Sequence, residues 1–339
     1  MTAAPARPDL RYTVDDRWGR VPEHLAHTDV AAVDVAPDGT VYLFTRNRNG
    51  VVVLDPDGTV LTAWGDGIFH TPHGLTLAPD GTVWCVDCGD HTVRRFTPDG
   101  RLLQTIGTPG VASDTGYGRR GPVVVHLNET VQRPAGPFNG CTNLTVAPTG
   151  ELFVADGYGN CRVHRFTADG ELVDSWGGIG TGPGEFHLPH AICATSDGHL
   201  LVGDRENDRI QIFDLDGTYV AEWTDVQRPC DIAVDAAGLV YVAELWRPGG
   251  NASFTRGAST TDRPGRVSVF DRNGSVVARW GASTVMRDAP GNFIAPHGIA
   301  VDPTGAVYVA EVTGTFGVAA GRVPADMAGH QLQKFTPIG

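Results

Sequence analysis

Val33-Asp-Val-Ala-Pro-Asp-Gly-Thr-Val-Tyr-Leu-Phe44 holds two apolar-alternating runs around an Asp-Gly turn, and the chain repeats it. Copies begin at Leu75 (Leu-Thr-Leu-Ala-Pro-Asp-Gly-Thr-Val-Trp-Cys-Val), Leu144, Ile192, Ile232 and Ile299, which makes six. Alternation at period two is the mark of a half-buried strand, and an Asp-Gly between two such runs marks a hairpin. In most copies a third β-rich run ends in Phe-x-x-Asp-Gly and a fourth in Trp-Gly or Ile-Gly. Four short antiparallel strands repeated six times describe an all-β, six-bladed β-propeller, in which radial repetition leaves only short sheet edges.

The chain ends fit a closed ring. The last copy stops at its third strand, Gln331-Leu-Gln-Lys-Phe335, while Arg11-Tyr-Thr-Val-Asp-Asp-Arg-Trp-Gly19 matches the fourth-strand phrase Val276-Val-Ala-Arg-Trp-Gly281. The N-terminal strand is therefore expected to complete the last blade, giving one domain over residues 10–339 behind a disordered tail, 1–9. Insertions at 108–139, 246–265 and 313–330 are rich in Gly, Pro, Ser, Thr or Arg and read as loops, which on a rigid scaffold often shape a site. Asn128-Glu-Thr130 and Asn251-Ala-Ser253 fit the glycosylation sequon but stand without an export signal.

With 26 basic and 39 acidic residues the net charge is -13, and no Lys/Arg-rich run occurs, so nucleic acid and anionic membrane are poor partners. No apolar stretch approaches the roughly 20 residues that cross a bilayer, and Met1-Thr-Ala-Ala-Pro-Ala-Arg-Pro lacks the pattern of a secretory signal. The expectation is a soluble, cytoplasmic monomer. Six cysteines are too few and too irregular for a disulfide framework. Cys85-x-x-Cys88 has no second pair and reads as buried thiols; Cys141 and Cys161 are close enough along the chain to pair, but in a reducing cytosol free thiols are expected.

Function enters through a second repeat. Phe69-His-Thr-Pro-His73, Phe186-His-Leu-Pro-His190 and Phe293-Ile-Ala-Pro-His297 share Phe-x-x-Pro-His at intervals of 117 and 107 residues. In register, the residue ahead of each first strand, at the mouth of the channel, is Ala31, His73, Thr142, His190, Cys230 and His297. Histidine thus falls on alternate blades, about 120° apart, and the three converge on the axis. Rim histidines bonded to channel water would not explain why the intervening blades carry none. Three imidazoles with an open fourth position suit catalytic zinc, at roughly 2.0–2.1 Å, although iron, cobalt or copper could take the same ligands. Cys230 shares the register, and His70 and His187 read as pocket-wall groups or supports of the ligands.

Asp156-Gly-Tyr-Gly-Asn-Cys-Arg-Val163 and Asp204-Arg-Glu-Asn-Asp-Arg-Ile210 resemble NHL repeats. Together with Pro72-His-Gly-Leu75, Pro189-His-Ala-Ile192 and Pro296-His-Gly-Ile299 they resemble the peptidyl-α-hydroxyglycine α-amidating lyases, from about residue 10 to the end. That resemblance implies a three-histidine zinc held by His73, His190 and His297, and cleavage of an N-acyl α-hydroxyglycine to a primary amide and glyoxylate. It implies Tyr158 as the catalytic base, Arg46 as a catalytic and carboxylate-binding arginine and Arg205 as a second substrate-binding arginine, roles that suit a planar guanidinium. Either arginine could instead pair with a neighbouring acid. The family's calcium-binding aspartate after the third histidine is Gly298 here, and the carbonyls of Val33 and Leu75 alone make no strong calcium site. A pocket methionine of the family is Ala295.

Two other readings fit the same residues. A metal-bound hydroxide could hydrolyse or hydrate a small polar molecule. Alternatively, an NHL propeller can serve as a non-enzymatic scaffold for protein partners. A gluconolactonase-like site would need a recurring Glu/Asn/Asp set around calcium, and none stands in register.

Overall fold

The computed structural model describes residues 10–19, 21–25, 29–118, 130–281 and 288–338. The tail 1–9 and the Asn128 end of the first sequon lie outside them. Each hairpin forms where the sequence calls for it, because the turn aspartate caps its own loop: Asp55 Oδ1 accepts the N–H groups of Asp57 and Thr59, at 3.0 and 2.8 Å. Asp271 does the same for Asn273 and Ser275.

Six four-stranded antiparallel sheets result. Blade one is Val30–Val35, Val41–Thr45, Val51–Leu54 and Val60–Trp64; blade two is Pro72–Leu77, Val83–Asp87, Thr92–Phe96 and Leu102–Ile106. Blade three is Cys141–Val146, Leu152–Asp156, Arg162–Phe166 and Leu172–Trp176, and blade four is Pro189–Ala194, His199–Asp204, Arg209–Asp214 and Tyr219–Trp223. Blade five is Pro229–Val234, Val240–Glu244, Arg266–Phe270 and Val276–Trp280. Blade six takes Pro296–Val301, Val307–Glu311 and Leu332–Pro337 from the C-terminal end and Tyr12–Asp15 from the N-terminal end. The closing strand is real but shorter than Arg11–Gly19, since the chain turns after Asp15. It pairs Tyr12 with Pro337 and Asp15 with Lys334.

Among the described residues, the second and third insertions hold more than loop. Residues 246–265 contain a small ribbon, Ala252–Ser253 paired with Gly257–Ala258, and residues 313–330 contain a π-helical turn, Thr313–Val318, and a 3-10 turn, Ala325–Gly329. Short Gly- and Ala-rich turns of this kind carry no hydrophobic period, so the sequence shows only loop composition.

The core lies between blades, where the inner three strands of each sheet pack on the next. Phe44, Val51, Val53 and Trp64 of blade one meet Leu75, Val83, Cys85 and Phe96 of blade two. The phenylalanine of each Phe-x-x-Pro-His phrase enters this layer: Phe69 lies 4.8 Å from the Phe44 ring, Phe186 5.9 Å from Phe213 and Phe293 5.7 Å from Phe335. One end of the phrase is thus anchored in apolar contacts and the other reaches the axis.

Its middle is fixed by the acid ending the second strand of the same blade. Asp87 accepts the N–H groups of His70 and Thr71 at 2.6 and 2.8 Å, Asp204 that of His187 at 2.8 Å, and Glu311 those of Ile294 and Ala295 at 2.7 and 2.8 Å. These donors precede a strand and have no ladder partner, so the buried carboxylate satisfies them.

Further along the channel Asp231 ties three blades together, accepting from Asn143 Nδ2 at 2.8 Å and from the Ile299 N–H at 3.0 Å. Asp34 accepts from the Leu77 N–H at 2.8 Å. Enclosure by protein pushes Asp34 up to about 6 and Asp231 to about 7, with the Asp34 charge raising Asp231 further. A carboxyl whose folded pKa lies above its unfolded value loses its stabilising contribution as pH rises through the folded value. Asp231→Asn is therefore expected to narrow the difference in unfolding midpoint between pH 5 and pH 8, measured by calorimetry; an unchanged difference would contradict this. Deleting residues 1–16 exposes the Leu332–Pro337 strand as a sheet edge and is expected to lower the midpoint by several degrees at least.

Candidate metal centre

Each first strand opens with the same irregularity. Pairing with the second strand skips one residue, and the skipped residues are Ala31, His73, Thr142, His190, Cys230 and His297. A bulge frees that residue from the pleat and re-aims its side chain. The ring position thus lies inside the strand, at the bulge, rather than just before it.

The three histidines are buried, and their candidate ligand atoms lie within 4.8 Å of one another. The alternate blades orient them. Nδ1 of His73 lies 2.6 Å from the Thr142 carbonyl oxygen, Nδ1 of His190 2.7 Å from that of Cys230, and Nδ1 of His297 2.7 Å from that of Ala31. A carbonyl can only accept, so each Nδ1 carries the proton and each Nε2 keeps its lone pair for the axis. Blades one, three and five supply no imidazole, but each supplies the carbonyl that fixes the neighbouring one.

Electrostatics keep the rings neutral. Burial drives His73 and His190 well below the usual range, helped by mutual repulsion and by Arg46 and Arg205; burial and Arg46 push His297 down to about 3. Three neutral imidazoles around one point match the donor set of a transition-metal ion.

The glycines after His73 and His297 allow the blades to close around this ring. A Cβ at Gly298 would stand 2.8 Å from Ala32 Cα, and one at Gly74 2.7 Å from the Thr142 carbonyl oxygen. An aspartate at 298 has no room, which accounts physically for its replacement.

Tyr158 and the two arginines meet here. Tyr158 Oη lies 2.6 Å from His73 Nε2 and 3.2 Å from His190 Nε2. Arg46 and Arg205 each follow the last residue of a second strand, in blades one and four, and so stand on opposite sides of the six-fold ring. Arg46 is paired, with Nη1 3.0 Å from Asp29 and Nε 3.3 Å from the Pro72 carbonyl oxygen. The Arg205 guanidinium carbon is 5.9 Å from the Tyr158 ring, and its Nε donates to Glu206 at 2.9 Å. Its Nη2 is buried with no nitrogen or oxygen partner among the described residues, and the Cys230 thiol lies beside it. Burial raises the pKa of the Tyr158 phenol above the usual tyrosine value, and Arg205 and Arg46 offset only part of that rise.

Some residues behave differently from expectation. His70 is exposed and takes part only through its backbone N–H. His187 is buried and stacks on Phe254, centroids 3.7 Å apart and planes at 3°, beside the site rather than in it. Cys230 serves through its carbonyl, and among the described residues no disulfide joins any of the six cysteines, Cys141 and Cys161 included.

The sequence reading missed the support of Arg205. Glu206 gathers Arg205, Arg228 (Nη2 2.7 Å) and Arg247 (Nη1 3.5 Å), and Asp208 holds Arg247 Nη2 at 2.7 Å. Burial opposes ionisation of Glu206, but Arg228, Arg205 and Arg247 outweigh it and hold the carboxyl well below its usual range. Counting two residues back from the ring position would have found part of this, since Asp29 and Arg228 are the charged residues there.

With this geometry in view, comparisons with known proteins separate fold from function. Residues 186–213 match the NHL repeat family. The match falls on the first three strands of the fourth blade. Human NHL repeat-containing protein 3 is 28% identical, aligned over 97% of this chain and 85% of its own. Peptidyl-alpha-hydroxyglycine alpha-amidating lyase 1 of Drosophila melanogaster is 30% identical over 77% of this chain and 47% of its own, and lyase 2 of the same species 30% identical over 78% and 58%. Among solved structures a streptogramin B lyase superposes with a TM-score of 0.59 at 14% identity, covering 97% of this chain and 98% of its own, which speaks for the propeller fold alone.

The ring makes a direct prediction. The protein is expected to take up one equivalent of zinc or cobalt, measured by elemental analysis after dialysis, and His190→Ala to weaken uptake by about tenfold or more. Because the free imidazoles are held far below neutrality, protons compete poorly and uptake should persist at pH 5; loss of metal between pH 7 and 5 would contradict the burial argument.

Proposed function

We propose that the protein is a metal-dependent lyase that splits the carbon–nitrogen bond of an N-acyl α-hydroxyglycine into a primary amide and glyoxylate. The observation that carries this reading is the contact of Tyr158 Oη with Nε2 of two ring histidines, which holds a phenol oxygen, a proton acceptor once ionised, at the point where a bound hydroxyl would lie. The 30% identity to two proteins named as lyases of this kind supports it.

His73, His190 and His297 would hold the metal, zinc in the first instance, through Nε2. When bound, such an ion supplies positive charge that polarises the substrate's hydroxyl oxygen and favours the ionised phenol. Tyr158 removes the hydroxyl proton; the O–H electron pair becomes the carbonyl of glyoxylate as the C–N bond breaks. The nitrogen leaves with the C–N bonding pair and is protonated to the primary amide, with the Tyr158 phenol as the nearest donor. Arg205 offers its unpartnered Nη2 to the substrate carboxylate, and Glu206 keeps the guanidinium in place. Arg46, tied to Asp29, acts across the channel through its charge.

A second reading is a repeat scaffold that presents its rim to partners; the relative aligned over nearly the whole chain is named for its NHL repeats alone. Turnover separates the two. The metal-loaded protein is expected to convert α-hydroxyhippurate to benzamide and glyoxylate, and Tyr158→Phe to lower kcat by about 100-fold or more with metal retained. Undiminished turnover by that variant removes the tyrosine from the chemistry; a metal-loaded wild type without turnover removes the lyase.

A further inference from the structure

The charges around the channel mouth do not balance. Five buried or half-buried guanidiniums gather there: Arg46, Arg205, Arg228, Arg247 and Arg322. The carboxylates that touch them are Asp29, Glu206 and Asp208. Arg46 pairs with Asp29, and three arginines share Glu206 and Asp208, leaving one positive charge in excess beside Tyr158. The carboxylate of an N-acyl α-hydroxyglycine accounts for that one.

Arg322 remains. It lies on the blade-six insertion, its guanidinium 4.1 Å above the Phe316 ring with Nη1 donating to the Phe316 carbonyl oxygen at 2.7 Å. Arg228 approaches the same ring, at 5.7 Å. Among the described residues no carboxylate lies within ion-pair reach of Arg322. Burial holds its pKa below the usual arginine range, and Arg228 lowers it further, so this cation is kept near another cation without compensation.

The insertion is also fixed against the site. Thr315 N–H donates to Asp29 Oδ1 at 2.9 Å and Thr315 Oγ1 hydrogen-bonds Asp29 Oδ2, on the carboxylate that holds Arg46. On the far side, Arg228 bridges from Phe316 to Glu206 and so to Arg205. Between these tethers the wall is apolar: the Trp246 and Phe316 rings lie 6.0 Å apart, over Ala295, Val312 and Val323. A protein with net charge -13 that keeps two uncompensated guanidiniums at one mouth, separated by an apolar wall, is built for a ligand with two anionic ends.

We propose that the ligand of this site is a dianion: one carboxylate at the reacting end taken by Arg205, and a second anionic group, on the acyl end, taken by Arg322 after the acyl chain has crossed Phe316 and Trp246. This rests on the lyase reading for the identity of the reacting end, but the two-anion recognition stands separately. It is tested by binding rather than turnover, with stable compounds that lack the α-hydroxyl. Calorimetry compares hippurate with N-(4-carboxybenzoyl)glycine, and N-butyrylglycine with N-succinylglycine, two matched pairs of different reach.

In the wild type the dianion of at least one pair is expected to bind about tenfold or more tightly than its monoanion. Arg322→Met, which keeps a chain on the Phe316 ring, should bring that ratio near one, and Arg322→Lys should retain much of it. Ratios near one in both wild-type pairs, or a ratio unaffected in Arg322→Met, overturn the proposal. Glyoxylate release from α-hydroxyhippurate, measured on the same preparations, reports on the lyase reading by itself.

Discussion

The site depends on one hydrogen bond made three times, from Nδ1–H of a ring histidine to the backbone carbonyl at the bulge of the next blade. It fixes each tautomer, aims each Nε2 lone pair at the axis and ties ligand geometry to blade spacing, so the site cannot be loosened without opening the ring. The bulge makes it available. A residue in regular pairing has its carbonyl committed to the ladder and its side chain committed to a face; the bulged residue is released from both. Alternation then follows from room on the axis rather than from a shortage of acceptors, since a bulged histidine offers the same free carbonyl as any other bulged residue. A histidine on every blade would crowd six rings into a channel where three already lie 4.7–4.8 Å apart.

Around this symmetric ring the surroundings are deliberately unequal. Tyr158 touches two of the three histidines, Arg46 and Arg205 stand over blades one and four, and blades five and six add the apolar Trp246 and Phe316 wall together with Arg228, Arg247 and Arg322. A propeller gives six equivalent positions, and function comes from filling them differently. The second-strand acids show the opposite tendency: Asp87, Asp204 and Glu311 occupy one register and do one job, holding the backbone that delivers His73, His190 and His297. Burying a carboxylate costs free energy, which the N–H donors there offset because no strand partner would satisfy them.

Much of this was legible in the sequence because it lies in the repeat. Strand alternation and Asp-Gly turns gave the blades, the Trp-Gly phrase identified Arg11–Gly19 as the missing strand, and the register of His73, His190 and His297 gave the convergence. What escaped falls outside the repeat or below its resolution. Arg247, Phe316 and Arg322 sit in insertions with no period to align. Glu206 was visible only as part of a motif, because its contacts, to Arg228 and Arg247, span more than 20 and 40 positions. The carbonyl partners of the histidines could not be read at all, since every residue has a carbonyl and only the bulge decides which one is free.

The central claim is that three imidazoles on alternate blades bind one metal ion through Nε2. X-ray absorption on the zinc-loaded protein tests it most directly, together with the same measurement on His297→Ala. The account predicts a first shell of nitrogen and oxygen scatterers at about 2.0–2.1 Å, with multiple-scattering features of three imidazoles that drop to two in the variant. A sulfur scatterer near 2.3 Å, which would place Cys230 in the shell, or a spectrum unchanged by His297→Ala, would contradict it.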